Sequence, residues 1–222
     1  MQISEPTTML TDYILALFTL LLCGHLFKLN SPDRQVSVQL WNFAFIATAI
    51  AAFLGGASHG FADYFNAFFS AALWKGTVYA IGFASFFMLA GSIIAAVTNP
   101  GRRWLLALTT LKLFFYAIWM ITHSDFSYVI YDYVPAMLGV FMLQVYSYRN
   151  KKTKSAVWIT SGIIVSFFGS GIQMSGFTIH EYFNHNDLYH VVQMGAIYLM
   201  YRGVCLLKDC QIVSDRKLRN KL

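Results

Sequence analysis

The chain has 222 residues, of which 57% are apolar, 17% aromatic and only 12% charged, with a formal net charge of +6. A soluble domain carries about 25% charged residues, so this surface is too poor in charge to face water on all sides, and a water-soluble globular domain is excluded. The Lys and Arg residues sit in short clusters between apolar runs rather than along one face, which argues against nucleic acid as a partner and makes them topology signals.

Apolar stretches of about 20 residues, long enough to cross roughly 30 Å of hydrocarbon, recur along the whole sequence. They predict an all-α, polytopic membrane protein, one seven-helix domain over residues 1–222. A β-barrel needs alternating strands, and runs such as "YILALFTLLLCGHLF" do not alternate.

The first predicted span covers 9–29; Glu5 and Asp12 accompany it and no basic stretch precedes it, so it is read as a retained helix rather than a signal peptide. The second, 40–61, closes in "LGGASHG" with Ser58 and His59, and Asp63 follows one helical turn later. The third covers 75–97 and the fourth 104–122, after which a short turn holds His123 and Asp125. In the fifth, 126–147, Asp132 near Pro135 is the nearest thing to a charge inside the membrane; no mid-span charge and no internal repeat are read. The sixth, 156–174, carries Gln173 near its end, a loop holds His180 and Glu181, and the seventh, 188–207, opens in "HNDLYH" with His185, Asp187 and His190.

Charge sets the orientation, because short cytoplasmic loops collect Lys and Arg. Lys28 and Arg34 follow the first span, Arg102 and Arg103 the third, "RNKKTK" the fifth and "KDCQIVSDRKLRNKL" the seventh. These alternate segments share one side, which predicts an outer N-terminus and a cytosolic C-terminus. Cys205 and Cys210 then fall on the cytosolic side, and no disulfide is expected.

Five of the six histidines, His59, His123, His180, His185 and His190, map to the outer side. Taken singly, such residues are ordinarily solvated. His59 and His190 are singled out because one closes an outward helix, the other opens an inward one, and both stand at the same depth. Asp63 lies one turn beyond His59 and Asp187 three residues before His190, so each pair is expected to share a helix face. Imidazoles and carboxylates in this pattern suit zinc: neutral nitrogens as ligands, and a carboxylate to orient a histidine or act as base toward bound water. Ser58 is placed to donate to an oxyanion or to back-bond within its helix.

Seven spans in this orientation, Ser58 and His59 at the end of the second and the His190 cluster opening the seventh resemble the CREST superfamily, which joins alkaline ceramidases, the progestin and adiponectin receptor family with hemolysin III, and the Per1 proteins. The resemblance implies zinc held by histidines of the second and seventh helices, and hydrolysis of a lipid amide or ester. The motifs depart from that pattern. Gly55 stands where the superfamily has serine four residues before histidine, Asn186 stands where it has a second histidine, and "LWKGT" opens the third span without an aspartate. On a regular helix His185 and His190 lie about 140° apart, so His185 joins His190 only if the helix starts after it.

The leading expectation is a zinc-dependent hydrolase of a membrane lipid, with His59, His185 and His190 as metal ligands and Ser58, Asp63 and Asp187 as catalytic residues near the outer leaflet. The alternative is a non-enzymatic receptor or small transporter whose outer polar cluster binds a ligand or relays protons.

Overall fold

The computed structural model describes residues 3–30, 35–180 and 182–210. Arg34, Glu181 and the charged segment 211–222, all used in the sequence reading, lie outside the described residues.

Among the described residues seven helices form, most of them delimited by local chemistry. α1 (Pro6–Asn30) opens on proline, whose missing N–H and fixed φ suit a first helical position. α2 (Val36–Phe61) is started by a distant residue: the two Asp209 carboxylate oxygens accept the N–H groups of Val36 and Ser37 at 2.9 and 2.8 Å. A short 3₁₀ turn (Ala62–Tyr64) follows. α3 (Ala67–Ala96) is capped by Asn66, which accepts the Phe69 N–H at 2.8 Å, and α4 is Gly101–Thr122. α5 (Phe126–Lys151) is capped by Asp125 and stopped by Lys152 at φ 51°; α6 (Lys154–Ser175) stops at Gly176, φ 67°. α7 (His185–Val204) starts in a capping box, the Asn184 side chain accepting N–H groups while Asp187 accepts the Asn184 N–H.

α1 packs against α2 and α7, α2 against α3, α3 against α5, α5 against α6 and α6 against α7, so six helices close a ring while α4 lies outside it against α3. The α6–α7 contact is close enough that a Cβ at Gly162 would stand 2.8 Å from the Ala196 carbonyl oxygen, and one at Gly203 2.8 Å from that of Ser155. Large apolar side chains such as Leu17, Phe27, Trp104, Phe115 and Phe168 point outward. Six helices, all but α7, are long and apolar enough to cross a membrane. α7 carries Asp187, His190 and Gln193 on its buried face, so its polarity is spent inside the bundle.

The helices match the predicted spans to within about a turn, except that α3 begins eight residues before Lys75. Lys75 is no boundary: its ammonium reaches the Met120 and His123 carbonyls at the end of the adjacent α4. The absence of a mid-span charge is corrected as well. Lys112, in the middle of α4, pairs with Asp132 of α5 at 2.7 Å, and the Ser85 hydroxyl of α3 donates to the same carboxylate at 2.7 Å.

Candidate functional site: a buried histidine between two carboxylates

The site forms where the first turns of α1 and α7 meet the last turn of α2. Backbone bonds tie the chain start to α2, Ser4 N–H to the Gly60 carbonyl at 3.3 Å and Glu5 N–H to that of His59 at 3.2 Å. The glycines of "LGGASHG" let α1 approach: a Cβ at Gly56 would stand 3.0 Å from the Asp12 Cβ, and one at Gly55 would stand 3.5 Å from an Asp12 carboxylate oxygen. Thr11 and Asp12 of α1 thereby face His190 of α7.

Both ring nitrogens of His190 have protein partners. Nε2 stands 3.2 Å from Asp12 Oδ1, and Nδ1 stands 2.9 Å from the Thr11 hydroxyl. That hydroxyl also lies 3.4 Å from Asp187 Oδ1 and 3.0 Å from the Thr8 carbonyl oxygen. Asp187 Oδ2 accepts the Asn184 N–H at 2.7 Å. With the Nε2 proton donated to the Asp12 carboxylate, Nδ1 is an acceptor, and the single Thr11 proton serves one of its three neighbours at a time. The four groups form one hydrogen-bonded chain, Asp12, His190, Thr11, Asp187, with a carboxylate at each end. It is closed to solvent: exposure is 5% for Asp12, 7% for His190, 7% for Thr11 and 0% for Asp187.

A second imidazole–carboxylate pair stands nearer the surface, His59 Nδ1 to Glu5 Oε2 at 3.0 Å. His59 and Asp187 are close enough to act electrostatically on His190, as Glu5 and Asp187 are on Asp12. The two pairs form one charged cluster.

The sequence-derived candidates are distributed differently from the expected pairing. His59 meets Glu5 rather than Asp63, because α2 ends at Phe61 and Asp63 turns away on the 3₁₀ segment to accept the Ser4 hydroxyl at 2.8 Å. Asp187 shares the inner face with His190 but reaches it through Thr11 and serves as the α7 cap. The Ser58 hydroxyl is buried and has no hydrogen-bond partner among the described residues. His185 is half-buried at the first position of α7, so it is part of the helix and stays about 140° from His190. Gln173 donates to Asn186 at 3.1 Å, His123 stacks on Trp119 with ring centres 4.1 Å apart, and His180 accepts the Tyr182 N–H at 3.2 Å.

Zinc requires three convergent protein ligands at about 2 Å. Among the described residues no three His, Cys, Asp or Glu side chains are grouped to hold a metal ion, and the His190 nitrogens are both engaged. The residues as arranged do not fit that centre.

Glu5, Thr11 and Asp12 complete the candidate site, and the sequence reading did not single them out for it. The signal was present: Thr11 and Asp12 are adjacent polar residues just inside an apolar span, at the depth assigned to His190.

Residues 7–209 match a family of unknown function, DUF6962. No curated protein and no solved structure matches the chain.

Proposed function

The chain belongs to the DUF6962 family, and we propose for it a proton-relay role in a seven-span membrane bundle with an outer N-terminus and a cytosolic C-terminus. The observation that carries the reading is the four-group chain between α1 and α7, sealed from solvent and ended by two carboxylates. Ionisable groups at membrane depth are costly and mark ion or proton pathways. The burial favours a proton over a larger ligand, because a proton moves along hydrogen bonds already made.

The transfer balances as follows. A protonated Asp187 gives its proton to the Thr11 oxygen, Thr11 passes its own to His190 Nδ1, and the Nε2 proton of His190 passes to the Asp12 carboxylate. Asp187 ends as a carboxylate, Asp12 as an acid, and the imidazole in its other tautomer; rotation of the hydroxyl and tautomer exchange reset the chain. The Glu5–His59 pair extends the cluster toward the surface. Because Asp187 also accepts the Asn184 N–H, its charge controls the α7 cap, and proton position is coupled to the start of α7. The positive ends of alternate loops and the length of all seven helices support the topology.

Purified protein in liposomes carrying an internal pH dye, under an imposed pH gradient, tests the relay. Wild type should dissipate the gradient faster than empty liposomes, and His190→Gln and Thr11→Val should slow this by about 10²-fold. Flux equal to empty liposomes, or unchanged in folded His190→Gln, overturns the proposal.

One observation favours a second reading, hydrolysis of a lipid amide or ester as in the CREST superfamily: the buried, unpartnered Ser58 hydroxyl lies beside His59, which Glu5 orients. In this reading Ser58 acts with the Glu5–His59 pair and no step is routed through metal. Turnover of a fluorogenic lipid amide that is lost in both Ser58→Ala and His59→Ala would favour it over the relay.

A further inference from the structure

We propose that the opposite end of the bundle holds a binding site for a phosphate-bearing anion, in the cleft between the start of α6 and the segment that follows α7. The cleft has a volume of about 840 Å³ and lies between α3, α5, α6 and residues 206–210.

Its charge is one-sided. Lys151, Lys154 and Lys208 stand on its walls, and none of them is in an ion pair among the described residues. The Lys151 ammonium rests on the Cys210 sulfur at 2.8 Å and the Ala96 carbonyl at 3.4 Å, with no carboxylate among its partners in the described residues. Arg102, beside the cleft, donates among the described residues to the carbonyls of Val97, Ile94 and Cys210. The acidic residue on the wall, Asp209, has both oxygens committed to the first amides of α2. Among the described residues three lysines thus stand against one carboxylate, and none of them is paired with it.

The neutral groups are of matching kind. The N-terminus of the 22-residue helix α6 opens into the cleft with Thr153 as its N-cap and no side-chain cap bond, so the first-turn amides are free to donate. The Thr153 hydroxyl is buried and has no hydrogen-bond partner among the described residues. Ser147 and Ser155 also line the cleft, 6% and 5% exposed, with no hydrogen-bond partner among the described residues. Buried hydroxyls are ordinarily satisfied; the buried Thr153 hydroxyl, without a partner among the described residues, forms with the helix N-terminus, the two serines and the lysines a donor set without its acceptor. A phosphate group supplies several acceptor oxygens and the missing negative charge. Leu206 and Leu207 add apolar wall, which admits either a free phosphate or the headgroup of an anionic lipid.

The test is calorimetric titration of the full chain, first in detergent with inorganic phosphate, then in phosphatidylcholine nanodiscs with and without phosphatidic acid, monitored by thermal stability. Saturable phosphate binding marks a free anion as ligand; stabilisation by phosphatidic acid alone marks a lipid headgroup. In either arm Lys154→Gln/Lys208→Gln should weaken the effect at least about 10-fold. Thr153→Val/Ser155→Ala, which leaves the charge unchanged, should also weaken it severalfold, while Arg103→Gln, a cation off the cleft, should not. No response in either arm overturns the site. So does an equal loss with Arg103→Gln, which would reduce the effect to diffuse surface charge.

Discussion

Replacing Lys112 by methionine isolates the cost of a buried charge. In the native bundle Asp132 is 5% exposed at its side chain and has two partners, the Lys112 ammonium on Oδ1 at 2.7 Å and the Ser85 hydroxyl on Oδ2 at 2.7 Å. Lys112→Met leaves Oδ1 with nothing and a carboxylate in an apolar surround. Breaking such a pair from one side costs about 3–5 kcal/mol. At ~2–4 °C of melting temperature per kcal/mol for a chain of this size, the midpoint should fall by about 6–20 °C. Asp132→Asn in the same background removes the orphaned charge while keeping an acceptor for Ser85. Lys112→Met/Asp132→Asn should therefore recover most of the loss, and the double-mutant cycle should show a coupling of several kcal/mol. Thermal unfolding in one detergent, for wild type, both single variants and the double, measures this. If the double variant loses the sum of the two singles, the pair is a surface contact and the assignment of Lys112 to the interior is refuted.

Two further outcomes follow from packing and from capping. Gly162→Ala and Gly203→Ala each drive a methyl group into backbone across the α6–α7 contact and should each destabilise by about 1–3 kcal/mol, whereas Gly195→Ala, with nothing within 4 Å, should be tolerated; thermal melts compare the three. The Asp125 carboxyl, outside the helices it joins, is held below its ordinary value of 3.8 first by the Ser127 side chain and then by the Ser127 N–H. A carboxyl lowered in the folded state contributes above its ordinary value and loses that contribution as pH falls through the folded value. The melting-temperature gap between wild type and Asp125→Ala should accordingly be flat near neutrality and close as pH drops below about 3.8; a gap unchanged at lower pH counts against the Ser127 hydrogen bond.

The helices were legible because an apolar run of spanning length has few alternatives, and their ends carry Asn, Asp and Gly at caps. Lys75 misled because a cation near a helix end reads as an interface anchor, although a long side chain can fold back onto carbonyls. Lys112 was overlooked for a related reason: one cation in a long apolar run lowers the hydropathy little, and only its neighbour Asp132 reveals it. At the site, His59, Asp187 and His190 stood out through depth, which sequence position supplies directly. Their partners did not, because Asp12 and Glu5 meet them through contacts of α1 with α7 and α2, and periodicity within one helix says nothing about which helix lies beside it. The pairing of His59 with Asp63 failed for a local reason, the helix ending at Phe61.

The closing of the ring by its first and last helices has a consequence for how the protein is made. Thr11 and His190 are 179 residues apart, so at 5–20 residues per second their contact must wait about 9–36 s after α1 emerges from the ribosome. Throughout that interval Asp12 has no imidazole to meet, and an aspartate in a lone membrane helix is costly to insert, up to about 3 kcal/mol at the helix centre and less near the end where Asp12 stands. A nascent chain is thus obliged to shelter α1 against α2 or within the insertion machinery until α7 arrives. Any message truncated before codon 190 would yield a product with that acidic group permanently unmatched, a natural handle for membrane quality control.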